Sequence, residues 1–276
     1  MPRIALRLAY DGTGYCGWQT QHSRESLQDA LEFALASIAL EPVKVVCAGR
    51  TDTGVHALSQ LVHFDTEADR PLRAWVKGAN QFLLQQHAAK SSAGAGRIMV
   101  QHAQIVSEDF HARFSALARR YFYVIYNHES WHPHWVNRAG FWYRKIDLTV
   151  MRQAAAVLIG RHDFSAFRAA ECQARSPIRT IQCLNIRHDP PFVVVEVQAD
   201  GFLHHMIRNM VGALLSIACG DEPVQRISDW LAAADRRALP PTFAACGLYF
   251  AGALYPPGAL GFPTLSDIDE ILPGLS

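Results

Sequence analysis

No excess of charge, no short cysteine pair and no bilayer-length apolar run occurs in these 276 residues, and each absence removes a class of protein. The 26 Lys and Arg against 25 Asp and Glu leave a formal charge of +1. Bulk electrostatics therefore do not announce a nucleic-acid partner, and any such surface has to be a local patch. Six cysteines, at 16, 47, 172, 183, 219 and 246, form no C-x-x-C pair and staple no small scaffold, which fits a reduced cytoplasm. The longest apolar stretches, such as Met210 to Cys219, are too short and interrupted to span a bilayer. Met1 to Tyr10 runs straight into an alternating strand pattern, without a charged segment, apolar core and cleavage site, so no secretion signal is expected.

What remains is a chain that is 50% hydrophobic and 18% charged, enough to bury a core in one large or two modest domains. Ile4, Leu6 and Leu8 alternate with Ala5, Arg7 and Ala9, the pattern of a strand with one buried face. Ser26 and Asp29 suit a capping box before Leu27, Leu31, Ala34, Leu35 and Ile38 at helical spacing. Val43 to Cys47 and Leu58 to Phe64 read as strands around a polar connection, 48 to 57. A helix over Arg70 to Leu84, a mobile surface loop over Gln85 to Gly96 and a strand over Arg97 to Val106 complete the first half.

The second half predicts a strand over Arg120 to Tyr126 and a helix over Thr149 to Ile159 ended by Gly160. A hairpin over 179 to 199, a helix over Leu203 to Cys219, a further short helix before Gly247 and a strand over Leu248 to Ala253 follow. The Pro/Gly-rich tail after Pro256 reads as irregular. Hairpins mixed with helices argue for α+β with largely antiparallel sheet, and we place a boundary near residue 108, giving units 1–108 and 109–276.

Two motifs mislead. Gly12, Gly14 and Gly17 make a G-x-G-x-x-G after a strand, but Trp18 to Ser23 intervenes before the next helix. A dinucleotide fingerprint needs that helix to begin within them. The segment reads instead as a flexible turn, with Tyr15 and Trp18 placed to touch an extended partner. Thirteen histidines include His132, His134 and the pair His204-His205. Neighbours on a helix project about 100° apart and do not share an ion easily, so no metal is expected. His132 and His134 sit in a Trp-rich loop where surface packing explains them. The arginine clusters, Arg113 with Arg119 and Arg120, Arg175 with Arg179, and Arg236 with Arg237, read alone as solvated faces.

Segment 47 to 57 puts Arg50, Asp52 and His56 on a short connection between apolar strands, a common seat for functional side chains. Taken alone, Asp52-Thr53-Gly54 is an ordinary turn. The run Ala48-Gly49-Arg50-Thr51-Asp52-Thr53-Gly54-Val55-His56-Ala57, however, closely resembles the signature of the tRNA pseudouridine synthase A family, whose catalytic aspartate falls at Asp52. Tyr10 to Gln19, Phe110 to Ser115 with Arg119 to Tyr123, Asp163 to Arg168, Phe202 to Asn209 and Gly247 to Tyr249 resemble further family blocks, in family order. Where relatives carry an Asn-x-x-Leu-Pro turn, this chain has Asn80-Gln81-Phe82-Leu83-Leu84.

The resemblance implies two α/β domains flanking a basic active-site cleft, the pseudouridine synthase fold. It implies conversion of uridine to pseudouridine at positions 38 to 40 of the tRNA anticodon stem-loop, without a cofactor, by a homodimer. It places Asp52 as nucleophile or as base for the sugar 2′ proton, and Arg208 as the guanidinium that stabilises its charge. Tyr121 would stack on the flipped uracil, Leu248 would form the opposite wall, and Arg50 would hold the flipped nucleotide or its phosphate. Two alternatives remain at this point: a tRNA-binding protein without catalysis, and a carboxylate-dependent uracil N-glycosidase.

Overall fold

The computed structural model describes residues 1–22, 25–90, 97–270 and 272. The chain forms two compact units, one from Met1–Leu117 with the returning segment Phe250–Glu270, the other from Ala118–Tyr249.

In the first unit, β1 (Arg3–Tyr10) enters directly, and the capping box then starts α1 (Leu27–Ala39): the Asp29 N–H donates to the Ser26 Oγ at 3.1 Å. Leu40 ends this helix in the left-handed region, φ 61°. β2 is only Val46–Cys47, shorter than the expected strand, because the Val45 N–H donates to the Glu32 carboxylate at 3.1 Å instead of to a ladder. β3 (His56–Asp65) lies antiparallel to β1, and β4 (Ile98–Val106) flanks β1 antiparallel on its other side. Between β3 and β4 the helical stretch winds as a π-helix over Ala74–Gly78 and continues as α2 (Ala79–Lys90). The loop expected from Gln85 is thus helical as far as Lys90. Gln, Ala and Lys propagate a helix when no Gly or Pro interrupts them. The remainder of that expected loop, 91–96, lies outside the described residues.

The one-sided burial expected of β1 is also corrected. Ala5 is fully buried and Arg7 nearly so, because residues 255–270 return over that face. Arg7 donates to the Pro263 carbonyl at 3.1 Å and to the Ser266 hydroxyl at 2.9 Å.

The second unit begins with β5 (Ala118–Asn127), to which β6 (Gly140–Trp142) adds in parallel. Asp147 caps α3 (Leu148–Val157), its carboxylate accepting from the Thr149 and Val150 N–H groups at 2.9 and 3.0 Å. Gly160, φ +105°, does not end that helix but opens β7 (Gly160–Asp163). β7, β8 (Ile178–Asp189), β9 (Phe192–Ala199) and β5 are antiparallel neighbours. α4 (Met206–Ala218) is buried along most of its length and α5 (Arg226–Ala233) is short. β10 (Leu248–Leu254) carries the chain from this unit back to the first. The mixed, largely antiparallel α+β class expected from the sequence is what folds.

Candidate active site

Residues 48–55, between β2 and β3, are held from below and from one side. The Ala48 N–H donates to the Leu61 carbonyl at 2.8 Å, and the Gln60 side-chain amide donates to the Gly49 carbonyl at 2.6 Å. The Tyr10 and Thr51 hydroxyls share a hydrogen bond at 2.8 Å, and the Trp18 N–H donates to the Thr51 carbonyl at 2.9 Å. Gly17 adopts φ +81°, and a Cβ there would lie 2.9 Å from the Thr51 carbonyl oxygen. A Cβ on Gly12 would lie 2.1 Å from that of Val55. Segment 10–18 is therefore a cradle pressed onto the Asp52 loop, not a flexible turn. Its Tyr15 and Trp18 are buried, Trp18 against the Tyr10 ring at 5.8 Å, so neither is placed to touch a partner.

The end of the loop is fixed by charge. Buried His56 sets its Nδ1 3.1 Å from both the Gly12 nitrogen and an Asp11 carboxylate oxygen, while Arg97 binds Asp11 at 2.7 Å. Burial works against the Asp11 carboxylate. Hydrogen bonds from His56 and Thr13 outweigh it and hold the group well below the usual carboxylate range. Out of this frame Asp52 emerges half-buried and Arg50 exposed. The neighbouring Cys47 thiol is pushed up to about 12, because burial outweighs the cations Arg50 and Arg113. It stays a neutral, inert thiol.

The other expected site residues lie on the second unit. Tyr121 on β5 meets Phe202 edge-on at 5.2 Å. Two residues on, Tyr123 is fully buried, donates to the Ala244 carbonyl at 2.7 Å, and has its phenol driven up by burial, the state of a core aromatic. Leu248 is buried at the start of β10. Arg208 stands in the first turn of α4, where its Nε donates to the Phe243 carbonyl at 2.8 Å and its own carbonyl accepts the Phe243 N–H at 3.3 Å. The next residue, Asn209, is fully buried. It donates to the Phe167 carbonyl at 2.8 Å and accepts from Thr242 and Arg236 at 2.7 and 3.2 Å.

Asp52 and Arg50 thus share one loop of the first unit, while Tyr121, Arg208 and Leu248 belong to three elements of the second. The His204-His205 pair is not on the helix as expected. His205 takes φ 63° ahead of α4, and the two rings lie 4.0 Å apart. The supporting residues Tyr10, Gly12, Gly17, Gln60 and Asn209 were missed as such, since each is recognisable only by what it touches.

A family model described as tRNA pseudouridine synthase matches residues 8–115 and 154–256. The tRNA pseudouridine synthase A of Bordetella petrii is 50% identical over 259 residues, covering 93% of this chain and 92% of that protein. That of Shewanella denitrificans is 46% identical over 254 residues, 92% and 93% of the two chains. That of Bordetella avium is 44% identical over 278 residues, covering 100% of this chain and 97% of its own. With the clamped aspartate loop inside the matched stretch, and likeness extending over nearly the full length, the chain belongs to the tRNA pseudouridine synthase family.

Proposed function

We propose that the chain isomerises uridine to pseudouridine in the anticodon stem-loop of tRNA, at positions 38 to 40, with Asp52 as the catalytic carboxylate. The support is the clamped loop: its backbone is held by Trp18 and Gln60 and its Thr51 hydroxyl by Tyr10, so a half-buried carboxylate is presented on a frame that does not have to reorganise. The reaction breaks the N1 to C1′ bond and forms C5 to C1′. C5 gives up its proton, N1 gains one, and nothing is oxidised, so the chemistry requires no cofactor.

As nucleophile, Asp52 would add to C1′ while N1 leaves with the bonding pair, and C5 of the rotated uracil would then displace it. As base, it would remove the 2′ proton instead. In either route Arg208 stabilises the carboxylate charge, and Tyr121 stacks on the flipped uracil opposite Leu248. Arg50, exposed on the same loop, holds the nucleotide or its phosphate through its planar fork. A homodimer acting in the cytoplasm is part of the same reading, since two copies would add their local basic patches into one tRNA-sized surface.

The test is tritium release from tRNA labelled at uridine C5, native protein against Asp52→Ala. Native release with a loss of at least about a thousandfold in the variant, at tRNA affinity within about twofold, is the expected result. Free uracil among the products would make the chain a glycosidase. Binding without release would make it a non-catalytic tRNA-binding protein.

A further inference from the structure

Between the two stretches that match the family model lies a segment they do not cover, and residues 128–145 of it are unusual in composition. They hold Trp131, Trp135, Phe141, Trp142 and Tyr143, with Arg138 and Lys145 against the single carboxylate Glu129, while Arg144 is paired with Asp221 at 2.6 Å. The rings are ordered. His128 stacks on Tyr126 at 5.6 Å and 21°, Tyr126 faces Phe141 at 6.4 Å and 30°, and Phe141 stacks on Trp131 at 4.6 Å and 22°. The four rings touch in sequence as a ladder, tilted at the Tyr126–Phe141 step, whose last member, Trp131, is 47% exposed.

The ladder is held rigid. The Asn127 side-chain amide donates to the Trp142 and Arg144 carbonyls, each at 2.8 Å, and Trp135 anchors the loop edge-on against Phe192 at 4.7 Å. An exposed ring stacked on one face only, on a fixed frame and beside surplus cationic charge, is how proteins hold an unpaired base without reading its sequence. Two cations of the same segment, Arg138 and Lys145, are exposed and suit the phosphates on either side of such a base.

We propose that Trp131 ends a stacking platform for an unpaired nucleobase of the bound RNA, a contact made by none of the residues assigned above to the catalytic site. The proposal rests on the tRNA reading above. Tritium release by the native protein tests that reading by itself, so the two can fail separately.

The experiment is the affinity of an end-labelled tRNA transcript for native protein, Trp131→Ala and Trp131→Phe, by fluorescence anisotropy at fixed salt. Each protein's melting temperature and sedimentation are checked alongside. Trp131→Ala should weaken binding at least about fivefold with unchanged melting, and Trp131→Phe, which keeps a stacking face, should restore affinity to within about twofold of native. Equal affinity of Trp131→Ala and native would overturn the proposal, as would failure of the Phe variant to rescue. A native dimer that falls to monomer in Trp131→Ala would overturn it too, assigning the platform to a second copy of the chain.

Discussion

Gly12 lies so close to Val55 that a Cβ cannot be added without moving the backbone that carries Asp52. Gly12→Ala is therefore expected to cost about 1–3 kcal/mol in unfolding free energy. It should also lower turnover about a hundredfold through displacement of the carboxylate, with tRNA affinity little changed; equilibrium unfolding and single-turnover kinetics measure the two effects. Arg208→Lys keeps the charge but loses the Nε bond to the Phe243 carbonyl that aims the guanidinium fork. Turnover should fall at least about tenfold while the dissociation constant of tRNA stays near native, and a variant with native turnover would remove Arg208 from the site. His63 titrates in the opposite sense to a salt-bridged histidine. Burial first, then the nearby Arg3 and His111, bring its pKa down to about 4, and its Nδ1 accepts the Ala112 N–H at 3.1 Å. The neutral ring belongs to the folded state, so its stabilising contribution is complete above the ordinary histidine value and is lost as pH falls from 6.5 towards 4. Near pH 5.5 the native protein should have lost about 1 kcal/mol relative to pH 8, and His63→Gln should lose less over the same interval in denaturant titrations.

The capping box of α1 makes an element-scale prediction: Ser26→Ala leaves the Asp29 N–H at the helix start without its hydroxyl partner and should cost about 1 kcal/mol, read as a lower urea midpoint at unchanged slope. Elements of this kind were legible because their information is local. Ser26, Asp29 and the apolar spacing after them specify a helix start without reference to the rest of the chain, and the alternation in β1 and β3 specifies strands. Two classes of feature were not legible. The length of α2 was misread because Gln85 to Lys90 has the polarity of a loop and the propensity of a helix, and polarity alone does not decide between them. Burial of the Ala5 and Arg7 face of β1 depends on residues more than 250 positions away, and no periodicity within the strand reports it. At the candidate site, Asp52 was singled out only through the family resemblance. The glycines that let segment 10–18 close on the loop stood out in the sequence only as a G-x-G-x-x-G read as a flexible turn, because close approach is a property of two segments together.

At the scale of the whole chain, β10 hands the backbone back to the first unit, and the tail that follows closes over it. The Ser59 hydroxyl donates to the Thr264 carbonyl at 2.8 Å, Gly252 bridges to Leu265, and the Gly261 N–H donates to the Gln104 side chain at 2.7 Å. Phe262 stacks on His102 at 5.2 Å, and Ile268 is fully buried. A segment read from its Pro and Gly content as irregular is thus part of the first unit's core, although it matches the family model only as far as residue 256. Ending the chain after Tyr255 would leave the Arg7 guanidinium without its Pro263 and Ser266 partners and open the Ala5 face of β1 to water. A loss on the order of 3 kcal/mol is expected, or roughly 6 to 12 °C in melting temperature for a chain of this size. Hydrogen exchange locates the effect as well as its size. Amides of β1 and β3 should lose protection in the truncated protein, whereas those of α4 and β9, in the second unit, should keep theirs. Unchanged protection in β1 would mean that the tail contributes little to the fold, while uniform loss across both units would mean that they unfold as one.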